Sequence, residues 1–275
     1  MTAPRKTVLV SGGTFGIGRA ITLGLARRGH AVVAFGLEAP QVSSTAQNAI
    51  PALREELDRE GLSAELMEAD VSQSGDVGRV VAQAMARYGR IDGVVNNAAI
   101  GPLGTVLDTD EALFDRIIAV NLKGPYLTSR AAIPHMIAQG GGSIVNIGSG
   151  AGWGKPNMAV YSASKGGVVA LSAAMAYDFF HQRIRVNTVI PGGGGIVSGM
   201  SLGRVGGDAA RFGKGVPGTA AGRVAAGDDI ANVVAFLLSP EAETLSGTVI
   251  DVGCFAQQGG PIPPAPATRQ PRDPR

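Results

Sequence analysis

The sequence predicts an α/β protein built on a doubly wound parallel sheet of seven strands. Apolar runs of strand length alternate with longer stretches of helical period, a pattern that requires parallel strands joined by crossover helices. The chain has 275 residues, of which 45% are hydrophobic, so it can bury one large core. A glycine-rich turn follows the first apolar run directly, as in sheets that bind nucleotides at their carboxyl edge.

The periodicity places the elements in a regular order along the chain. The predicted strands cover residues 7–10, 31–35, 64–67, 91–96, 143–147, 184–189 and 248–252. The predicted helices cover residues 16–28, about 51–60, 75–88, 111–138, 160–180 and 228–238. Strand and helix therefore alternate through the whole chain, and a second independent domain is not needed.

Two segments depart from this alternation. Residues 191–227 are rich in glycine and follow a strand, at the edge where open α/β sheets bind ligands, so they are predicted to form a mobile substrate loop. An ordinary long surface loop is the alternative. Residues 259–275 are rich in proline and are predicted to be a disordered tail, which leaves 1–258 as the catalytic domain.

Charge and composition exclude several classes of function. The net charge of +2 resides in residues 269–275, so the rest of the chain lacks the basic surface that nucleic acids or anionic membranes require. The single cysteine excludes an intrachain disulfide, and the three scattered histidines predict no metal site. The apolar run at 7–10 is too short for a signal peptide or a membrane span, so we expect a cytoplasmic protein.

The glycine-rich turn predicts a dinucleotide site. It reads Ser11-Gly12-Gly13-Thr14-Phe15-Gly16-Ile17-Gly18, and a helix begins within it. A strand, a glycine turn and a helix in this order bring bare backbone N–H groups and the positive helix end to a pyrophosphate. By itself such a turn is weak evidence, because tight turns also use glycine for positive φ.

A tyrosine and a lysine on one helix predict the acid/base group. Tyr161 and Lys165 are four residues apart and therefore share a helix face. An ammonium about 4 Å from the phenol, at an effective dielectric constant of about 20, contributes roughly 4 kcal/mol. This lowers the tyrosine pKa from about 10 by up to about 3 units, toward working pH. An amphipathic surface pair is the alternative.

The turn spacing GxxxGxG and the Tyr161-Ser162-Ala163-Ser164-Lys165 motif resemble the short-chain dehydrogenase/reductase family over about residues 5–255. The resemblance implies a Rossmann-type fold and hydride transfer between the nicotinamide of NAD(H) or NADP(H) and a secondary alcohol or its ketone. It implies four catalytic residues: Tyr161 as acid/base, Lys165 to lower the tyrosine pKa and hold the ribose, Ser149 to orient the substrate oxygen, and Asn121 to hold a relay water.

The same resemblance implies a set of cofactor contacts. Asp70 meets the adenine edge, Asn96-Asn97-Ala98-Ala99 is similar to the family's NNAG motif, and the Pro191-Gly192 turn packs on the nicotinamide. The implied cofactor-binding residues are Gly12, Thr14, Phe15, Gly16, Ile17, Gly18, Asp70, Val71, Asn97, Ala98, Ala99, Tyr161, Lys165, Pro191 and Gly192.

The choice between the two cofactors rests on departures from the family pattern. Gly36 stands where NAD-type members carry aspartate, and Leu37 and Phe15 lack the positive charge of NADP-type members. Glu38 favours NAD(H) because it would repel a 2′-phosphate, whereas Arg19 favours NADP(H). On balance the sequence favours NAD(H).

The sequence specifies the substrate-binding residues less precisely than the cofactor-binding residues. The resemblance implies that Ser149, Trp153 and Tyr161 contact the substrate. Without the family context, Ser149 would be interpreted as a helix-capping residue and Trp153 as a residue packed in the core. The stretch from Ser149 to Tyr161 is one residue shorter than the common family spacing, and the other candidate position is occupied by Gly148. The hydroxyl expected soon after Pro191-Gly192 is displaced, and Ser198 is the candidate.

Several functions remain open at this level. A sugar, a 3-oxoacyl thioester or a small cyclic alcohol would each be acceptable as substrate. The resemblance implies a homotetramer built partly through the Tyr161 helix. A catalytically silent dinucleotide sensor or scaffold is the alternative function, and an epimerase or lyase-like relative using the same cofactor is a third.

Overall fold

Seven parallel strands form one sheet in the computed structural model, which describes residues 5–38, 49–192, 196, 200 and 219–253. The strands are β1 Thr7–Ser11, β2 Ala31–Gly36, β3 Glu65–Glu68, β4 Gly93–Asn96, β5 Gly142–Ile147, β6 Ile184–Ile190 and β7 Val249–Asp251. Their order across the sheet is β3-β2-β1-β4-β5-β6-β7. The order reverses between β1 and β4, so a crevice opens there at the carboxyl ends, where doubly wound sheets bind ligands.

Helices cover both faces of the sheet. They are α1 Gly16–Arg27, α2 Ala49–Arg59, α3 Ser74–Tyr88, α4 Glu111–Ile118, α5 Gly124–Ala138, α6 Ala159–Asp178 and α7 Gly227–Leu238. Successive strand residues point to opposite faces: Val8 and Val10 pack in one core with α1, α2 and α7, while Leu9 packs in the other with α3, α5 and α6. The predicted doubly wound sheet of seven strands is confirmed.

One predicted helix is interrupted. The helix predicted over 111–138 consists of α4, a π-helical turn at Ala119–Lys123, and α5. Pro125 has no N–H, so the α-helical hydrogen bond to the carbonyl of Asn121 cannot form, and the backbone widens at this point. The sequence-based helix was wrong in this detail, and the interruption carries a predicted catalytic residue.

Parts of the predicted domain plan lie outside the described residues. These are most of the glycine-rich segment 191–227, including Ser198, and the proline-rich segment 259–275. Within the described part of the chain, no helix is long and apolar enough to cross a membrane. The same residues contain no group of three histidine, cysteine or carboxylate side chains placed to hold a metal ion.

Candidate active site

The glycine turn after β1 has the geometry of an anion cradle. Gly12 and Gly16 have φ of +60° and +56°, which side chains disfavour. A Cβ on Gly18 would lie 1.9 Å from the carbonyl oxygen of Gly12, so only glycine lets α1 begin this close to the turn. Helix α1 has no side-chain cap and no acidic residue in its first turn. Its first N–H groups are therefore available to a phosphate, and the turn fits a dinucleotide.

Hydrogen bonds from the end of β4 hold this turn in place. Ser11 Oγ accepts from the backbone N–H groups of Asn97 at 3.1 Å and Ala98 at 3.2 Å. The side-chain amide nitrogen Nδ2 of Asn97 donates to the backbone carbonyls of Ser11 at 3.2 Å and Gly12 at 3.0 Å. The two strands that flank the crevice are thus tied together at their carboxyl ends, and Ala99 follows half-buried on the same loop.

Asp70 and Val71 follow β3 at the same edge of the sheet. One carboxylate oxygen of Asp70 accepts from the backbone N–H of Ser72 at 2.9 Å and from its hydroxyl at 2.8 Å. The backbone N–H of Asp70 donates to the carboxylate of Asp76, and this bond lowers the pKa of Asp76. Val71 is buried in the core that also contains α3 and α5. The aspartate therefore organises the turn into α3.

Tyr161 and Lys165 lie one turn apart at the start of α6, and both are buried. Lys165 is only 2% exposed, and its ammonium donates to the carbonyl of Ile147, the last residue of β5, at 2.8 Å. Burial lowers the pKa of Lys165 to about 8. Tyr161 is 7% exposed. A buried cation and a phenol thus share one helix face beside the carboxyl end of the sheet.

Asn121 is linked to the Tyr161 helix through a serine that the sequence reasoning overlooked. The amide of Asn121 donates to the carbonyl of Ile100 at 2.8 Å and to Ser164 Oγ at 3.0 Å, and its oxygen accepts from the N–H of Ile100 at 2.8 Å. Ser164 Oγ in turn donates to the carbonyl of Tyr161 at 2.7 Å. The signal available in the sequence was the position of Ser164 three residues after Tyr161.

Ser149 begins the 3₁₀ turn Gly150–Trp153 directly beyond β5. Its hydroxyl oxygen accepts from the N–H of Ala151 at 3.1 Å, which leaves the hydroxyl hydrogen to donate. A Cβ on Gly148 would lie 2.6 Å from Ile190 Cδ1 and 2.8 Å from Thr188 Cγ2, so a side chain at the preceding position would have to displace both of these side chains. Because the stretch from Ser149 to Tyr161 is one residue shorter than usual and the preceding residue is glycine, Ser149 is the residue that offers a hydroxyl at the start of this turn.

Three further predicted residues, Trp153, Pro191 and Gly192, border the same edge of the sheet. Trp153 is 47% exposed, which removes the alternative that it packs in the core. Its turn rests on α6, because a Cβ on Gly152 would lie 3.1 Å from the backbone nitrogen of Gly166. Pro191 and Gly192 follow β6 and are half-buried, with Gly192 at a φ of +53°. Trp153 and the Pro191-Gly192 turn thus follow the carboxyl ends of β5 and β6.

The fold, together with the glycine turn and the Tyr161 and Lys165 pair at the carboxyl edge of the sheet, defines the class of protein. Residues 12–254 match the family model described as enoyl-(acyl carrier protein) reductase. The chain belongs to the short-chain dehydrogenase/reductase family. It is accordingly an NAD(P)-dependent oxidoreductase that acts on CH–OH or C=O groups.

Named relatives cover nearly the whole chain. It is 36% identical to 2-(S)-hydroxypropyl-CoM dehydrogenase 3 of Xanthobacter autotrophicus, over 93% of this chain and 96% of that protein. It is 32% identical to the 3-oxoacyl-[acyl-carrier-protein] reductase of Thermotoga maritima, over 90% and 96% of the two chains. The solved structure of gox2181 superposes with a TM-score of 0.80 at 28% identity and covers 93% of this chain and 97% of its own.

Proposed function

We propose that the protein transfers a hydride between a nicotinamide and a secondary alcohol or its ketone, with Tyr161 as the acid/base. The observation that carries this proposal is the buried Tyr161 and Lys165 pair one helical turn apart beside the end of β5. The nicotinamide, when bound, supplies or accepts the hydride. Each residue around it is then assigned a role by its position and its chemistry.

The proton is moved at the oxygen of Tyr161. In the oxidative direction the phenolate takes the proton of the substrate hydroxyl, and in the reductive direction the phenol returns it to the carbonyl oxygen. The Lys165 ammonium stabilises the phenolate, and water screens this attraction little because both groups are buried. The free hydroxyl hydrogen of Ser149 orients the substrate oxygen.

Asn121 is proposed to act through the backbone around it as well as through a relay water. Its side chain joins the β4 loop at Ile100 to α6 at Ser164 and so fixes the two walls of the crevice relative to each other. Pro125 deprives its carbonyl of the α-helical donor, so that carbonyl is the group that we assign to hold the water.

The dinucleotide is proposed to lie across the carboxyl ends of β1 and β4. The cradle from Gly12 to Gly18 holds the pyrophosphate, and Thr14 and Phe15 face the adenosine. Asp70 and Val71 border the adenine, and Asn97 to Ala99 line the floor. Pro191 and Gly192 pack on the nicotinamide, and Lys165 holds its ribose.

Gly18→Ala is expected to abolish dinucleotide binding and to destabilise the fold. Its Cβ would lie 1.9 Å from the Gly12 carbonyl oxygen, so the turn and α1 must separate. Calorimetric titration with NAD and a thermal melt would measure both effects. Gly78→Ala is the matched control: this exposed glycine of α3 has open space around its Cα, and the change should raise stability by up to about 1 kcal/mol. Unimpaired NAD binding by Gly18→Ala would contradict the cradle.

NAD(H) is proposed as the preferred cofactor. Arg19, the cation that favoured NADP(H), forms an ion pair with Glu56 and is therefore neutralised. Glu38 lies half-buried just beyond β2 and its carboxylate would repel a 2′-phosphate. The ratio of kcat/KM for the two cofactors is expected to favour NAD, and a marked preference for NADP would contradict this assignment.

The substrate is proposed to be a small secondary alcohol or ketone, in line with the substrate named for the hydroxypropyl-CoM relative. Absorbance of the reduced nicotinamide over a panel of alcohols, ketones and 3-oxoacyl thioesters tests this directly. Turnover of at least one compound is expected. Dinucleotide binding without any turnover would instead favour a silent sensor, which has no physical need for the acid/base group Tyr161.

A homotetramer is proposed as the assembled form, with α6 in one interface. The outer face of α6 exposes Ala163, Ala170, Ala174 and Tyr177, whose small side chains permit close approach of another helix. Ala170→Arg is expected to dissociate the assembly, and light scattering would show the smaller species. A monomeric parent protein, or an unchanged Ala170→Arg assembly, would contradict this interface.

No nucleic acid or membrane is assigned as a partner, because the charge outside residues 269–275 sums to zero. The single cysteine suits a reducing compartment, and we propose a cytoplasmic location. Fractionation of cells that express the protein would test this location.

A further inference from the structure

The chain that leads into the Tyr161 helix contains a residue in a strained backbone conformation. Asn157 has a φ of +60°, and within the described residues Arg183, at +57°, is the only other residue besides glycines with a positive φ. Side chains disfavour this left-handed region, and asparagine tolerates it better than most residues. The order Pro156-Asn157 is typical of a type II turn, in which the residue after proline needs a positive φ. The turn therefore fixes the direction of the chain four residues before Tyr161.

Two backbone hydrogen bonds join this turn to the loop after β4. The N–H of Gly104 donates to the carbonyl of Asn157 at 2.9 Å, and the N–H of Ala159 donates to the carbonyl of Gly104 at 3.2 Å. Gly104 is buried and pairs with Met158 as a short parallel bridge. The loop is thus attached to the start of α6 by main-chain bonds, and these depend on the direction that the backbone takes at Asn157.

The first turn of α6 depends on these bonds because it has no side-chain cap. Helix α6 begins at Ala159, and the side chain of the preceding residue, Met158, makes no capping hydrogen bond. The first N–H groups of a helix have no partner within the helix and must be satisfied from outside it. The carbonyl of Gly104 supplies that partner to Ala159. Tyr161 is the third residue of the helix, so it lies in this same turn.

The lysine of the pair is anchored independently of this turn. Lys165 lies one turn further along α6, and its ammonium is bonded to the last residue of β5. Fraying of the first turn would therefore move Tyr161 relative to Lys165. The loop after β4 is a firm support, because the side chain of Asn121 both donates to and accepts from the backbone of Ile100. Asn157 connects this support to the turn that carries the phenol.

We propose that Asn157 is a positioning residue, whose left-handed backbone docks the loop after β4 on the first turn of α6 and so sets the phenol of Tyr161 against the ammonium of Lys165. This inference rests on the proposed role of Tyr161 in proton transfer. Asn157 acts through its backbone, since its side chain is exposed. A residue that cannot adopt a positive φ at this position breaks the two bonds to Gly104 and loosens the first turn.

Three substitutions of Asn157 differ in how readily they adopt a positive φ, and they test the inference. Asn157→Gly should keep the parental kcat, Asn157→Ala should lose a few-fold, and the β-branched Asn157→Val should lose about 10- to 100-fold. Calorimetry should show parental NAD affinity in all three, because the bonds of Asn97 to the glycine turn are unchanged. Amide hydrogen exchange gives a readout without turnover: Ala159 should exchange about 10-fold faster in Asn157→Val than in the parent.

Arg183 provides the matched control. It has the same left-handed φ but directly precedes β6, at the amino edge of the sheet, opposite the edge that carries the predicted site. Arg183→Val should therefore suffer the same backbone strain and lose stability, while kcat and the exchange rate of Ala159 stay parental. An equal loss of kcat in Arg183→Val would contradict the inference, because strain anywhere in the chain would then lower activity.

The remaining outcomes separate this inference from the proposed function. Parental kcat in Asn157→Val, or an Asn157→Gly protein as impaired as Asn157→Val, overturns the role of Asn157 and leaves the role of Tyr161 standing. Parental kcat in Tyr161→Phe overturns the proposed function itself. If Asn157→Val does not fold, the order of kcat decides: glycine and asparagine equal and alanine lower supports the role, and alanine equal to asparagine overturns it.

Discussion

Tyr161→Phe protein is expected to show a kcat about 10²- to 10⁴-fold below that of the parent, the range that a positioned acid/base group contributes. The phenyl ring keeps the packing of this buried side chain, so the fold and the affinity for NAD should be retained. Only the oxygen that exchanges the proton with substrate is lost. Steady-state kinetics, with NAD binding measured separately by calorimetry, would show the loss in kcat alone.

The same helix supplies the control for this substitution. Tyr177 lies on α6 but is 84% exposed, and Tyr177→Phe is expected to leave kcat unchanged. A Tyr161→Phe protein with parental kcat would remove Tyr161 from the proposed chemistry. Loss of NAD binding in that variant would instead show that the side chain has a structural role.

Lys165→Met is expected to lower activity and to raise stability at the same time. Without the ammonium, the phenolate of Tyr161 loses the charge that stabilises it, and kcat should fall by up to about 10³-fold at neutral pH. The buried ammonium, however, costs folding free energy. Its pKa falls from 10.5 to about 8 on folding, which corresponds to about 3 kcal/mol below pH 8. Loss of the bond to Ile147 offsets about 1 kcal/mol of this gain.

The pH dependence of this stability difference has a definite sign. Below about pH 8 the lysine is protonated in both the folded and the unfolded chain, and the full cost is present. Between about 8 and 10.5 folding releases the proton, so the parent gains stability as pH rises and the advantage of Lys165→Met shrinks. Thermal melts from neutral to alkaline pH measure this. Lys155→Met, at an exposed lysine, should change little, and a destabilised Lys165→Met would contradict the account.

The period of apolar residues alone predicted the strands and helices, because within each element this period agrees with the structure that the element forms. The observed ends of β1 to β7 lie within two residues of the prediction. The interruption at Ala119–Lys123 was missed, since the period of apolar residues hardly changes between an α-helix and one π turn. The signal that could have located it is Pro125, whose missing N–H leaves a carbonyl without its donor.

Motif spacing located the chemistry but not the contacts that support it. Tyr161 and Lys165 are adjacent on one helix, so their proximity follows from the sequence. The bracing of Asn121 by Ser164 joins residues 43 positions apart, and nothing local in the sequence encodes it. Long-range partners of this kind require the folded chain.

The pH dependence of single-turnover alcohol oxidation, compared between the parent and Tyr161→Phe, tests the central claim most directly. With Tyr161 as the base, the parental rate should rise with pH through one ionisation over the range below about pH 8, where Lys165 stays protonated, and the residual rate of the phenylalanine variant should be flat there. The same rise in Tyr161→Phe would contradict the account, because another group would then be accepting the proton.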